Sequence, residues 1–417
     1  MRTRLPLAGL AVAAGLSSFG LAMTLIAIPW YVLHSTGSGT QTGAVTAAET
    51  LGLLLSIVLA GPLVDRAGPR RLSITADAIT AAAIALIPLA ELTVGLPVPL
   101  LAVLAFTAGA TRAPSDTAKQ VLLAQVAEPA GIRLERASSA VDAAMRLGRM
   151  VGAPVAGGLV AVLGPVPVLV VDTATLLASA GLVAVFVRGR TPARDGDDAG
   201  DRADSYLRRL LGGVRYLRGD RLLRAALPML MVTNALDVGL SGVLYPAYGS
   251  QVFDSSALVG LMVTALGIGG LGGAALYGWI GHRLSRWAVF TACFLLLGMP
   301  RFVLLALEPP APVLLPLLAV SGLGSGALNP ILLAVVHERV PAMLRGRVLS
   351  LASGGAIAAM PLGTMLAGVL LDWTGLTGAL VTFAVIYLVA TTFPLIFPVW
   401  RELDHRPATP EHAPVAV

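Results

Sequence analysis

The feature that most constrains this 417-residue chain is a series of twelve apolar runs, each about as long as a membrane-crossing helix. A helix needs ~20 apolar residues to cross ~30 Å of hydrocarbon. Charged residues make up only 12% of the sequence, too few to cover the surface of a soluble protein of this size. The alternating pattern of membrane β-strands, ~9–11 residues each, is absent. The sequence therefore predicts an all-α membrane protein.

The runs divide into six before a polar segment and six after it. We place the spans at 7–33, 44–60, 73–90, 98–118, 140–163, 166–187, 222–245, 257–277, 288–307, 313–336, 348–371 and 376–400. This predicts an N-terminal six-helix bundle (1–188), a cytoplasmic linker (189–221), a C-terminal six-helix bundle (222–401) and a disordered cytoplasmic tail (402–417). The first run is longer than the ~7–15-residue core of a secretory signal, so we expect it to be retained.

Basic residues occur only in alternate loops, which predicts the orientation of the chain. One set of loops contains Arg66, Arg70, Arg71, Arg133, Arg136, Arg283, Arg286, Arg339, Arg345 and Arg347, and the other set contains no Lys or Arg. Cytoplasmic loops are enriched in Lys and Arg. We therefore expect a multi-pass plasma-membrane protein with both termini in the cytoplasm.

A loop motif occurs twice, at the same place in each half. GPLVDRAGPRRLSI at 61–74 aligns with GWIGHRLSRWAVF at 278–290, so that Gly61 matches Gly278 and Arg66 matches Arg283. Two six-helix halves with this repeat resemble the major facilitator superfamily, whose members bind substrate near the membrane midplane. The segments LLGGVRYLRGDRLLR and PLGTMLAGVLLDWTG further resemble the branch of drug, macrolide and siderophore exporters.

The resemblance implies a gating role for the repeated motif. Its residues here are Gly61, Asp65, Arg66, Gly68, Arg70, Arg71, Gly278 and Arg283. The two glycines of the first copy would permit a tight turn and close helix approach. The family's equivalent of Asp65 contacts the N-terminus of the eleventh helix, here near Arg347 and Val348, which carries a partial positive charge. Alternatively, these charges only set the topology.

The fifth predicted helix contains RLGRMVGAPVAGG at 146–158, which resembles the antiporter motif of exporters. It departs from that motif because Ala153 separates Gly152 from Pro154. Ordinary packing of small residues is the alternative interpretation.

Ionisable residues inside the spans are candidates for function, because each costs ~2.5–3.5 kcal/mol or more at the bilayer centre. Glu49 is the leading candidate for a proton carrier, since hydrocarbon favours the neutral form of a carboxyl group. A static hydrogen bond is its alternative role. Asp172 and Asp237, the latter with Asn234 on the same helix face, are further candidates for proton or substrate binding. Polar helix packing is their alternative.

Further charges lie toward the predicted cytoplasmic ends of the spans. Arg112 with Asp116, and Asp142 with Arg146 and Arg149, are spaced to share a helix face, and pairing between helices would close an inner gate. We expect Asp77 to support the loop motif. Arg301 is expected to snorkel or to line the outer vestibule.

Several functional classes lack their sequence signatures. The chain contains neither a G-x-x-x-x-G-K-[S/T] phosphate loop nor an H-E-x-x-H metal motif, so we expect no ATP-driven step, no cofactor and no metal. A receptor or membrane enzyme would need a polar domain or a clustered catalytic site. The sequence predicts a monomeric secondary transporter of a small molecule, coupled to protons, with no nucleic-acid partner. Efflux of an amphipathic compound is favoured, and uptake by proton symport is the alternative.

Overall fold

A computed structural model describes residues 4–93, 95–187 and 215–404, and every regular element in these ranges is helical. The helices are α1 (Leu5–Thr36), α2 (Gly39–Ala67), α3 (Pro69–Thr93), α4 (Val98–Ala127), α5 (Leu134–Leu163), α6 (Pro165–Phe186), α7 (Arg221–Gly239, continued by Leu240–Leu244 and Tyr245–Gln251), α8 (Ser256–Ile280), α9 (Arg286–Ala292, Cys293–Gly298 and Pro300–Ala306), α10 (Ala311–Arg339), α11 (Ala342–Ala358 and residues 360–374) and α12 (residues 376–396). The all-α prediction is confirmed, and each predicted span falls on one of these helices.

The last two helices form one continuous run, Met360–Ile396, interrupted only at Gly375. Gly375 has a φ of 71°, a conformation that glycine adopts without a steric penalty. By length and apolarity, nine helices among the described residues could cross a membrane, or ten if the two parts of α2, bent by 60°, form one span. One of the nine is Leu351–Ile396, which the break at Gly375 divides in two.

Local sequence signals explain where the helices begin and end. In hydrocarbon every backbone polar group must be satisfied within the segment, so apolar runs of this length fold as helices. The Ser38 hydroxyl caps α2 by accepting from the Gln41 N–H at 3.2 Å, and Asp220 caps α7 by accepting from the Leu223 N–H at 2.9 Å. Gly68, after α2, has a φ of 77° and permits the short turn into α3.

The first six helices pack mainly on one another, and so do the last six. In the first group α1 packs against α5 and α6, α2 against α4, and α3 against α4 and α6. In the second group α8 packs against α10, and α7 against the run that forms α11 and α12. The exact bounds of the two bundles stay a prediction. The predicted linker lies mostly, and the predicted tail almost entirely, outside the described residues.

The turns define two faces of the molecule. The arginine-rich face contains the turns at 68, 128–133, 281–285 and 340–341, and the arginine-free face contains those at 37–38, 95–97, 164, 252–255, 307–310 and 375.

The two groups of helices approach most closely near the arginine-free face. There α2 meets α11, and a Cβ added to Gly43 would lie 2.5 Å from the Thr364 carbonyl oxygen. The C-terminal end of α5 meets the beginning of α8, where a Cβ on Gly157 would lie 2.6 Å from the Ser256 carbonyl oxygen. Small residues therefore allow direct backbone contact between the groups at this face.

Candidate functional site

A cavity of about 450 Å³, called the central cavity below, lies within the second group of helices and is lined by Leu217 and by residues of α7, α9, α10, α11 and α12. Leu227, Leu230, Leu328, Leu332 and Phe294 provide an apolar wall, and Asn234, Asn329, Ser321 and Ser325 add polar groups. The cavity runs from Leu217 and Leu349, near the arginine-rich face, to Asp237 in the middle of α7. Its size and mostly apolar lining are typical of sites for small molecules.

An ion pair lies at the deep end of the central cavity. The Arg301 guanidinium donates to the Asp237 carboxylate, and it lies 5.0 Å from the centre of the Phe302 ring and 5.6 Å from that of Tyr387. The Arg301 side chain is 7% exposed, whereas that of Asp237 is 39% exposed because it borders the cavity. The expected snorkelling of Arg301 is therefore wrong, and it lines the central cavity rather than an outer vestibule.

The inward direction of Arg301 follows from an irregular turn in α9. Residues Cys293–Gly298 form a π-helical turn, which adds one residue to the helix. The extra residue rotates everything that follows by about 100° relative to a regular α-helix. A regular helical pattern therefore misplaces the face on which Arg301 lies.

Asn234 and Asp237 both line the central cavity, which confirms that they share a helix face. The Asn234 side-chain amide donates to the Ala356 carbonyl oxygen at 3.3 Å, so it also joins α7 to α11. Their predicted roles in binding stay predictions.

A second, much smaller cavity in the first group of helices brings together three residues that the sequence indicated separately. Glu49 of α2, Arg112 of α4 and Asp172 of α6 line a space of about 20 Å³, room for roughly one water molecule. Asp172 is 1% exposed and accepts hydrogen bonds from the Thr24 hydroxyl and, at 3.4 Å, from that of Thr175. Two carboxyl groups and one guanidinium thus line the same small cavity, and the guanidinium is also paired with Asp116 of its own helix at 3.8 Å.

Gly20 of α1 makes room for this cluster. A Cβ at Gly20 would collide with the Asp172 carboxylate, so no larger residue fits there without displacing Asp172. The close approach of the α1 backbone to Asp172 at Gly20 therefore helps to shape the small cavity, together with the charged side chains that line it.

The residues of the loop motif have distinct surroundings. Arg70 donates from Nε to the Val187 carbonyl oxygen at 2.7 Å and from Nη2 to that of Ala184 at 2.6 Å, which caps the end of α6. Gly68 adopts the turn conformation that was predicted. Gly61 does not: it lies inside α2, and a Cβ there would meet nothing within 4 Å.

The second copy of the motif is similarly open at its glycine, since a Cβ at Gly278 would also meet nothing within 4 Å. Asp65 and Arg66 are exposed at the arginine-rich end of α2. The side chain of Arg347, the predicted contact region for Asp65, lies outside what the structure describes. The predicted contact between Asp65 and the N-terminus of α11 therefore stays a prediction.

Charged pairs on α4 and α5 form within single helices, as their spacing predicts. Arg112 Nε lies 3.8 Å from Asp116 Oδ2, and Arg146 Nη2 lies 3.5 Å from Asp142 Oδ2. The second pair is 59% and 65% exposed. Pairing between helices, with Arg149 included, stays a prediction for a different conformation.

Asp77 has a different role from the expected support of the loop motif. It is 2% exposed, lies 2.9 Å from Lys119 Nζ, and accepts hydrogen bonds from Ser115 at 2.5 Å and Ser179 at 2.8 Å. It thus fixes α3 to α4 and α6 in the interior. The buried Lys119 partner was not identified in the sequence.

The glycines of the segment at 146–158 allow close helix contacts, as expected. Gly148 and Gly152 pack against the backbone of α1, and Gly157 packs against that of α8. The segment therefore joins both groups of helices through α5.

One residue that the sequence did not identify connects the two groups at the arginine-free face. Asp372, at the end of α11, accepts hydrogen bonds from the N–H groups of Gly39 at 2.6 Å and Thr40 at 2.9 Å, and from the Ser38 hydroxyl at 3.0 Å. These donors form the N-terminus of α2, which attracts a negative charge. The available signals were a helix-capping serine and a lone carboxylate in a short loop, but neither indicates its partner.

Comparison with known proteins identifies extensive similarities. The profile of the Major Facilitator Superfamily matches residues 10–256 and 229–416. The Multidrug efflux pump Tap of Mycolicibacterium fortuitum is 32% identical over 402 residues, covering 96% of this chain and 97% of that protein. The pump of the same name from Mycobacterium tuberculosis is 32% identical over 404 residues, covering 96% and 95%.

Solved structures share the fold at low sequence identity. The nucleoside transporter NupG is 14% identical with a TM-score of 0.75, covering 94% of this chain and 99% of that one. A bacterial homolog of the human lysosomal transporter Spinster is 12% identical with a TM-score of 0.73, covering 97% and 98%.

Proposed function

Since this chain belongs to the major facilitator superfamily, we propose that it exports an amphipathic small molecule in exchange for protons, by alternating access across the plasma membrane. The observation that carries the proposal is one-sided closure. The two groups of helices are in contact near the arginine-free face, while the central cavity extends toward the arginine-rich face.

In the proposed orientation the arginine-rich face is cytoplasmic. The positive-inside rule supports this, because all the basic loops lie on that face. Both termini and the linker are then cytoplasmic, and the end of the central cavity at Leu217 and Leu349 lies on the cytoplasmic side. A substrate would enter from the cytoplasm and leave after the closed contacts separate.

The central cavity supports an amphipathic substrate. Its leucine wall would bury the apolar part of a ligand, while Asn234, Asn329 and the border of the Asp237–Arg301 pair offer hydrogen-bonding groups. The two mycobacterial relatives are multidrug efflux pumps, which favours export over uptake.

The cluster of Glu49, Asp172 and Arg112 supports proton coupling. Arg112 is also paired with Asp116, so the carboxyl groups around this cavity outnumber the cations, and the neutral acid form of a carboxyl group is favoured while water is excluded. Exposure of the site to either side would allow proton exchange. At ~100 mV each proton supplies about 2.3 kcal/mol, enough for a substrate gradient of roughly fifty-fold.

Two contacts between the same pair of helices, α2 and α11, form the proposed gates. At the outer end, Asp372 of α11 holds the N-terminus of α2. At the inner end, Asp65 of α2 would hold the N-terminus of α11 when that side closes. A carboxylate at a helix N-terminus contributes about 0.3–1 kcal/mol when exposed, enough to shift two conformations several-fold.

Accumulation assays in a bacterium that lacks its own pumps test the proposal. We expect cells that express the protein to accumulate less of several lipophilic dyes, and an uncoupler to remove the difference. Higher accumulation, or uptake of a polar nutrient without any effect on dyes, would replace export with symport. A dye effect that survives the uncoupler would remove the proton from the proposal.

A further inference from the structure

A second large cavity lies on the outer surface of the helices, between the beginning of α7 and the end of α12. It measures about 510 Å³ and shares no lining residue with the central cavity. Pro228, Met229 and Val232 line one side, and Phe393 and Phe397 line the other. The two phenylalanines are 44% and 47% exposed, so the groove faces the surroundings of the helices rather than the interior.

The end of this groove at the arginine-rich face is positively charged. Arg221 and Arg224 lie one turn apart on α7, and both line the groove and are exposed. The nearby carboxylate of Asp220 is engaged elsewhere: it caps α7 and lies 3.3 Å from Arg339. In the described parts of the chain, no ion pair within 4.0 Å connects either arginine to an acid.

An apolar groove with two arginines at its end matches one class of ligand found in the membrane leaflet at the arginine-rich face. An acyl chain is as apolar as the groove wall, and its length lies along the membrane normal, as the groove does between two spanning helices. A guanidinium binds phosphate oxygens through two parallel N–H donors. Trp400, buried at the end of the groove, marks the level of the headgroups, where tryptophan is enriched.

We infer that the α7–α12 groove binds an anionic phospholipid of the leaflet at the arginine-rich face, with its phosphate on Arg221 and Arg224 and an acyl chain between Pro228 and Phe393. A basic residue near the surface strengthens binding of anionic lipid about fivefold, so two contribute roughly thirty-fold. The inference rests on the membrane location of the chain and is independent of the direction of transport.

Native mass spectrometry of the purified full chain in detergent would measure the binding. The probes are phosphatidylglycerol and phosphatidylcholine with identical acyl chains. We expect phosphatidylglycerol to bind more tightly, and the double variant R221Q/R224Q to lose roughly thirty-fold of that affinity. The matched control, R215Q/R218Q, removes the same charge from the preceding turns, which do not line the groove, and should keep the affinity.

A second variant tests the apolar part of the site with its charge intact. Ala225→Leu narrows the groove beside both arginines and should weaken phosphatidylglycerol binding without changing the net charge. The inference is overturned if both double variants lose affinity equally, since diffuse charge would then suffice. It is also overturned if phosphatidylcholine binds as tightly as phosphatidylglycerol, or if phosphatidylglycerol binds the Ala225→Leu variant with full affinity. Complete competition by soluble glycerol phosphate would overturn it as well.

Discussion

The two groups of helices line their cavities with charges in different ratios. In the first group, Glu49, Asp172 and Arg112 line a cavity with room for about one water molecule, and Arg112 is also paired with Asp116. In the second group, Asp237 is paired with Arg301 alone, at the end of a cavity of about 450 Å³. One cluster therefore has a carboxyl group in excess, and the other is balanced.

We propose from this difference that the two groups have separate tasks. A balanced ion pair in the interior is stable without binding or releasing a proton, but loss of either partner leaves an unpaired charge. In a cluster with an excess carboxyl group, exclusion of water favours the neutral acid form of that group. We therefore assign proton coupling to the first group and the wall of the substrate cavity to the second.

The largest expected effect is loss of uphill transport in Glu49→Gln. Glutamine keeps the shape of the side chain but cannot carry the proton. The substrate gradient of roughly fifty-fold that one proton supports should therefore disappear. Proteoliposomes with an imposed pH gradient would measure substrate accumulation. Exchange of substrate at equal concentrations should persist, which separates coupling from folding.

Glu135→Gln is the matched control for that variant, because Glu135 is an acid with a 76% exposed side chain at the start of α5. It should transport like the unaltered protein. If Glu49→Gln keeps its gradient while Asp237→Asn loses it, the assignment of tasks to the two groups is reversed.

The next largest effect is on stability. Arg301→Gln leaves Asp237 without its partner, and removal of one member of a fully buried pair costs ~3–5 kcal/mol. Because the Asp237 side chain is 39% exposed to the cavity, we expect a smaller loss, about 2 kcal/mol. Chemical unfolding in detergent would measure it.

A double variant tests whether the stability lost in Arg301→Gln comes from the unpaired charge of Asp237. Adding Asp237→Asn to Arg301→Gln removes both charges and should restore most of the lost stability. Equal losses in the single and double variants would mean that Arg301 acts through packing on Phe302 and Tyr387 rather than through its charge.

A smaller effect is expected at the contact between Asp372 and the N-terminus of α2. It tests whether the gate at the arginine-free face opens independently of the proposed proton site in the first group. Asp372→Asn keeps an acceptor but removes the charge on the N-terminus of α2, worth about 0.3–1 kcal/mol at an exposed site. Opening at the arginine-free face should then become two- to fivefold more favourable. Labelling of a cysteine in place of Thr46, which is 3% exposed and lies further along α2 behind this contact, would report the opening.

In that labelling assay the Asp372→Asn and Glu49→Gln variants should shift the equilibrium independently if gate and coupling site are separate. Slower labelling in Asp372→Asn would contradict a closing role for the carboxylate. An Asp404→Asn change, which removes a carboxylate from Ser285 at the opposite face, provides the control.

The smallest effect is expected for the pair on α5. Asp142 and Arg146 are 65% and 59% exposed in this conformation, and pairs of this kind contribute about 0.3–0.5 kcal/mol within a helix. Asp142→Asn should therefore leave the unfolding midpoint almost unchanged. A loss comparable to that of Arg301→Gln would show that the pair is buried in the dominant conformation.

The sequence by itself determined the helices, their grouping and the family. Apolar runs of fixed length can only be helices in hydrocarbon, since a buried backbone must bond to itself. Caps such as Ser38 and glycines such as Gly68 then set where helices end, and these signals are local. The repeated loop motif is local too, so it could be recognised from the sequence without a structure.

Only the tertiary structure decided which charges on different helices meet. Glu49, Arg112 and Asp172 come from three helices, and no spacing along the chain indicates that they line one cavity. Asp372 and Gly39 are separated by more than three hundred residues, and their contact depends on the conformation of the whole molecule. Arg301 turns inward because a π-helical turn shifts the phase of α9, and helix packing, rather than local preference, selects such a turn.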